Sequence, residues 1–172
     1  MRVRNVLIFV GLCQDKRRVT QAAYSICVID TIGGKTEFTG IDCGRYTRIR
    51  LKALCKELRR LQREGMDPGE HMRVIFTTGD QELHNIWHNE DSFRAAKSVA
   101  IFHKRLDTLK DKDLWLEIHN LSEQLQADIV FPRAESYMGA MVPGMTESAR
   151  KYLDSMAPVR SQGASCSTRR LG

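Results

Sequence analysis

No stretch of this sequence approaches the roughly 20 consecutive apolar residues that a membrane-spanning helix needs, so no membrane partner is expected. There is no phosphate-binding glycine loop of the Walker type, and the Gly33-Gly34 pair fits a hairpin turn better. Neither a serine nor a cysteine stands in a nucleophile-elbow pattern. No segment repeats. The five cysteines, at 13, 27, 43, 55 and 166, are odd in number and match no zinc or redox spacing, which predicts free thiols. Cys27 and Cys55 lie on apolar patterns and read as small core residues. His84 and His88 stand four apart, but no third ligand accompanies them, so no metal site is expected there.

What remains is the composition of an ordinary folded domain. With 172 residues, 42% of them hydrophobic, the chain suits one domain able to bury a sizeable core. The net charge of +6 is compatible with an anionic partner, although a basic balance alone does not require one. The basic start, Met1-Arg2-Val3-Arg4, leads into an apolar stretch that ends at Gln14-Asp15-Lys16-Arg17-Arg18 without a small-residue cleavage site. It reads as a strand rather than a signal peptide, and a cytoplasmic protein is expected.

Hydrophobic periodicity orders the elements. Residues 3–12 form an almost unbroken apolar run, the pattern of a central strand buried on both faces. Residues 22–30 alternate, with Tyr24, Ile26 and Val28 on one side. The turn at Ile32-Gly33-Gly34-Lys35 predicts a hairpin returning through 36–43, with Phe38 inward. Over 48–63, Leu51, Leu54, Cys55, Leu58 and Leu61 recur at helical spacing, and the rest of that surface is basic. Gly65 terminates this helix. A fourth strand is predicted over 71–78. A short helix runs from Gly79-Asp80 through Trp87, and another over 92–109 with Phe93, Ala96, Ala100 and Leu106 toward the core. A helix over 113–125, a strand over 127–131 and a last helix over 146–153, capped by Thr146, complete the order. One domain is expected over 1–155 and a disordered tail over 156–172, where Ser, Gly and Arg replace apolar residues.

Three strands, a helix, a strand, helices, a strand and a helix: this order resembles type I ribonuclease H over residues 3–155. Short matches accompany it. Ile8-Phe9-Val10-Gly11-Leu12 is similar to the family's Ile-Phe-Thr-Asp-Gly, Thr78-Gly79-Asp80 to its Thr-Asp-Ser, and Asp113-Leu114-Trp115 to the Asp-Leu-Trp opening its fourth helix. The resemblance implies an α/β, ribonuclease H-like fold, a mixed five-stranded sheet flanked by helices.

It also implies a chemistry that this sequence contradicts. In the family, four carboxylates hold two magnesium ions about 3.5–4 Å apart and cut the RNA strand of an RNA/DNA hybrid. Position by position, the first Asp falls on Gly11, the helix Glu on Arg50, the second Asp on Gly79, and the last acid near Thr146 or Glu147. Magnesium takes oxygen ligands, which neither Gly nor Arg supplies, and an Arg in such a site repels both ions. A degenerate member is therefore expected, a pseudoenzyme with no catalytic residues and no cofactor. Asp80 is the one displaced acid near its expected place; as an alternative to rescuing a magnesium site, it caps the helix starting at Gln81. Glu57 reads as a solvated partner of Arg60.

The leading expectation is a module that binds an RNA/DNA hybrid or duplex without hydrolysis. Arg48, Arg50 and Lys52 would track phosphates on one side. Arg94, Lys97, Lys104 and Arg105 lie in a stretch that resembles the basic protrusion some family members use to grip a hybrid. One alternative is a protein-interaction scaffold. The other is an active endoribonuclease on RNA/DNA hybrids, using displaced carboxylates and magnesium. Trp87 and Trp115, at helical spacing, read as core rather than as stacking platforms for bases.

Overall fold

The computed structural model describes residues 2–18 and 20–156, so the expected tail lies, from residue 157 on, outside the described residues. Strand β1 (Arg2–Gln14) is central, pairing antiparallel with β2 (Gln21–Asp30) and parallel with β4 (Glu70–Thr77). β3 (Gly34–Cys43) closes a hairpin with β2, and β5 (Ala127–Val130) lies parallel to β4. The sheet order is β3-β2-β1-β4-β5. Val6, Ile8 and Val10 on one side of β1 and Phe9 on the other are almost inaccessible, as an unbroken apolar run requires.

Helix α1 (Tyr46–Glu64) lays Leu51, Leu54, Cys55, Leu58 and Leu61 on the sheet. On the same side pack α2 (Gln81–His88) and α4 (Lys112–Leu125), where Trp87 and Trp115 stack with ring centroids 6.0 Å apart, both buried. Both tryptophans are core, as their spacing predicts. Helix α5 (Val142–Ser155) covers the opposite face, packing Ala149 and Leu153 against Ala23. No helix among the described residues is long and apolar enough to cross a membrane.

Several sequence expectations are corrected. The helix expected over 92–109 is broken into a 3-10 turn (Phe93–Ala95) and α3 (Val99–Leu106). Two serines cause the break. Ser92 Oγ accepts from the Arg94 amide, and Ser98 Oγ from the Ile101 amide, each at 3.3 Å, so each starts its own turn. Ala100 is consequently exposed and Ala96 half-buried. Helix α5 begins four residues earlier than expected, with Pro143 in its first turn, where a missing N–H costs nothing. Thr146 lies inside it rather than capping it. Phe38, half-buried, packs against the core as expected. Cys13, Cys27 and Cys55 are free thiols, Cys27 and Cys55 buried as expected; Cys43 is disulfide-bonded, contrary to expectation.

Candidate functional site

The positions where the resemblance puts metal ligands gather at the C-terminal end of β4 and the adjoining part of β1. Phe9 and Thr77 form the last registered pair of the parallel strands, and Gly11 and Gly79 each lie two residues beyond it. The space in front of Gly11 is filled by helix backbone. A Cβ built there would sit 2.1 Å from the Thr146 nitrogen and 2.2 Å from the Met145 carbonyl carbon of α5. Gly11 is therefore the contact that lets α5 lie directly on β1, a close approach only glycine permits. Gly79 has φ +73°, which favours glycine, and its nearest neighbour across that space is Val142 Cγ1 of α5, 3.8 Å from where a Cβ would be.

Arg50 turns toward this end of the sheet and meets Asp80. Its Nη1 donates to Asp80 Oδ2 at 2.9 Å, with both side chains four-fifths buried or more. The guanidinium also lies 5.6 Å from the Tyr46 ring centroid. Burial lowers the Arg50 pKa, and the Asp80 charge opposes that fall. The other oxygen of Asp80 accepts from the Glu82 amide at 2.9 Å, so Asp80 is the N-cap of α2, as the sequence suggests. Glu147 is exposed and bonded to Arg150 on its own helix. Glu57 does pair with Arg60, but it is buried rather than solvated.

Two magnesium ions do not fit these residues. The only carboxylate at the four positions or one residue from them that turns inward is Asp80, and one of its oxygens is taken by Arg50, the other by a helix amide. Among the described residues no three His, Cys, Asp or Glu side chains converge to hold a metal ion. His84 and His88 use their ring nitrogens otherwise: His84 Nδ1 donates to the Phe131 carbonyl at 2.6 Å, and His88 Nε2 accepts from the Phe131 amide at 3.0 Å.

The basic surface is more occupied than the sequence suggests. Arg48 bonds Asp111 at 3.2 Å and Asp113 at 2.9 Å, and Lys52 reaches Asp42 at 3.5 Å. The carboxylate of Asp113 is pushed below its ordinary range, chiefly by the Arg48 hydrogen bonds. Arg94 stacks over Trp87 at 3.9 Å, and Arg105 donates to the carbonyls of Ser92 (2.9 Å) and Glu90 (3.4 Å). Of the seven residues expected to contact phosphate, Lys97 and Lys104 alone are exposed and outside every ion pair, ring contact and hydrogen bond of the described residues.

The histidine geometry sets a pH dependence. Burial lowers the His88 pKa, and the neighbouring His84 and Arg94 charges add to that, against Asp128. Only an unprotonated Nε2 accepts the Phe131 amide. The unfolded chain therefore takes up this proton at higher pH than the folded one, so stability held above the ordinary histidine value falls as pH drops through it. His119, also lowered by burial, acts in the same sense. Urea midpoints measured from about pH 7.5 to 5 should fall less steeply in His88→Gln than in the wild type; parallel curves would refute the assignment.

No family model matches this sequence. No curated protein matches it either. Solved structures do. The protease–reverse transcriptase of foamy virus, solved in complex with an RNA/DNA hybrid, superposes on 86% of this chain with 10% identity and a TM-score of 0.52, over 19% of its own length. A chain from the foamy viral enzyme in complex with double-stranded DNA matches over 86% of this chain and 92% of its own, with 13% identity and a TM-score of 0.50. Ribonuclease H1 of Halobacterium salinarum matches over 88% and 98%, with 14% identity and a TM-score of 0.46. The sheet order and the flanking helices decide the architecture. The fold is ribonuclease H-like.

Within the ribonuclease H-like fold, the residues that sequence reasoning missed are Val142 and Met145 of α5, and the close contact that Thr146 makes with Gly11. Val142, Met145 and Thr146 close the space in front of Gly79 and Gly11. The signal was a glycine inside an otherwise continuous apolar strand, which marks close backbone approach as readily as a missing carboxylate. Also missed was Asp111, a buried carboxylate that accepts from Arg45 and Arg48 and so ties the start of α1 to α4.

Proposed function

We propose that this ribonuclease H-like domain is a pseudoenzyme of the cytoplasm that grips a nucleic-acid backbone, hybrid or duplex, without hydrolysing it. The observation that carries the loss of hydrolysis is the Arg50–Asp80 ion pair, a fixed cation where the two-metal chemistry needs an anion. Lys97 and Lys104, exposed on the approach to α3 and on α3 itself, are the phosphate contacts. Arg48, Arg50, Lys52, Arg94 and Arg105 have intramolecular partners to give up first, so they contribute less. The foamy viral neighbours seen with a hybrid and with double-stranded DNA support a nucleic acid as the partner class.

Two measurements test the proposal. In single-turnover assays with magnesium or manganese, the purified protein should leave the RNA of a hybrid intact; cleavage that disappears in Asp80→Asn would overturn the loss of hydrolysis. In binding titrations at several salt concentrations, Lys97→Gln and Lys104→Gln should each reduce the salt slope by about one, equally for hybrid and duplex. Arg59→Gln should change nothing, because Arg59 is held by Glu117 at 2.5 Å. Absence of association at low salt would refute nucleic-acid binding.

A further inference from the structure

A groove of about 560 Å³ opens between α2 and α3. Ile86 on one wall, Ile101 on the other, and Phe93 and Leu109 between them make it largely apolar. The apolar strip continues outward along α3, where Ile101 is 41% exposed and Val99 74%, two of the few large hydrophobic side chains left in water. Asn85 and Asn89 bring side-chain amides to the α2 wall, and Lys104 brings an unpaired ammonium to the α3 wall. Two more exposed lysines, Lys97 and Lys110, stand in the chain on either side of the lining residues between Ile101 and Leu109. The one carboxylate on the rim, Asp91, faces Arg105 at 4.0 Å.

We propose that this groove docks an acidic amphipathic segment of a partner protein. Two apolar side chains one helical turn apart enter between Ile86 and Ile101, the Asn85 and Asn89 amides bond polar groups of the segment, and its carboxylates meet Lys104. The charge decides the occupant's sign: of the charged lining residues, Asp91 and Arg105 face each other and the Lys104 ammonium is left over, so a basic segment would be repelled and an acidic one drawn in. The apolar lining decides its class. The aliphatic part of the lining, Ile86, Ile101 and Leu109, gives a phosphate nothing to bond, and Phe93, 2% exposed, offers no face on which a base can stack. The inference goes beyond nucleic-acid binding and stands without it. Because both partners use Lys104, an occupied groove and a bound backbone exclude each other at that residue.

The test is selection from a phage-displayed library of random peptides long enough for three helical turns. Recovered peptides should carry paired apolar residues at i and i+4 beside Asp or Glu. Their affinity for the protein should fall about tenfold or more in Ile101→Asp, and also in Lys104→Glu. Ile101 is exposed, so Ile101→Asp folds; Ile101→Ser, which adds no charge beside Lys104, should keep the wild-type salt slope for nucleic acid. A library that yields no consensus, a consensus without acidic residues, or peptides that bind Ile101→Asp undiminished would overturn the groove. Peptide binding without any nucleic-acid binding would instead leave the groove standing and remove the backbone-gripping function.

Discussion

Gly11→Asp should unfold this protein or cost it about 4 kcal/mol or more, although it puts a carboxylate where the resemblance implies a metal ligand. The new Cβ has no room: it meets the backbone of Met145 and Thr146 at 2.1–2.2 Å, and helix backbone does not yield as a flexible side chain does. Beyond the Cβ, the carboxylate would enter a buried position, while the Nη1 of Arg50 is already held by Asp80. Gly11→Ala separates the two causes, carrying the steric cost without the charge. Urea denaturation of both variants gives the measurement. A Gly11→Asp protein with wild-type stability that binds manganese would mean that α5 does not lie on β1 as described.

The second large effect belongs to Arg4, at the other end of the sheet. Its guanidinium, 6% exposed, donates from Nη2 to Asp30 at 2.6 Å and from Nε at 3.1 Å, and it reaches Glu64 of α1 at 3.0 Å. Arg4→Ala leaves Asp30 buried with the Ile32 and Gly33 amides and the more distant Arg60 as partners, and should cost about 3–5 kcal/mol. Arg4→Met combined with Asp30→Leu should recover most of that loss, because apolar residues of similar size carry no desolvation penalty. Acid distinguishes the variants further. Burial raises the Asp30 pKa, but the Arg4 hydrogen bonds and the Ile32 amide outweigh it, and the folded value lies below the ordinary one. Wild-type stability from this pair is thus present above the ordinary carboxylate pKa and lost as pH falls through the folded value. In Arg4→Ala, burial dominates, the folded pKa rises, and acid should narrow the gap to the wild type. A gap that widens in acid would refute this account.

Strand β1 and helix α1 were legible because their apolar repeats are long and agree with one burial geometry each. The break before α3 was not, because a serine inside a helical pattern reads as a tolerated interior residue until its hydroxyl is seen capping the next turn. The candidate site divides the same way. That 11, 50 and 79, where the resemblance implies carboxylates, carry none is visible in a string of letters; a helix backbone pressed against Gly11 is not, since the distance between a strand and a helix far apart in the chain is set by tertiary packing. Arg50 and Asp80 were each readable separately, one as a cation where the resemblance implies an acid and one as a cap. Their pairing joins residues 30 apart through the sheet. The cations of α1 looked free for the same reason: their partners Asp42, Asp111 and Asp113 come from other elements.

Strand β5 has four residues and sheet bonding on one side only, from β4. What it lacks in strand pairing it gains from side chains of α2: the Trp87 indole N–H donates to the Ile129 carbonyl at 2.9 Å, and the two histidines take both polar groups of the Phe131 backbone. Helix and strand are stitched rung by rung, so neither can detach without stripping the other of its hydrogen bonds. In hydrogen–deuterium exchange the two should open as one cooperative unit, with the Phe131 amide protected although it lies past the last residue of the strand. The sheet thereby acquires something close to a sixth strand, made of a helix's side chains.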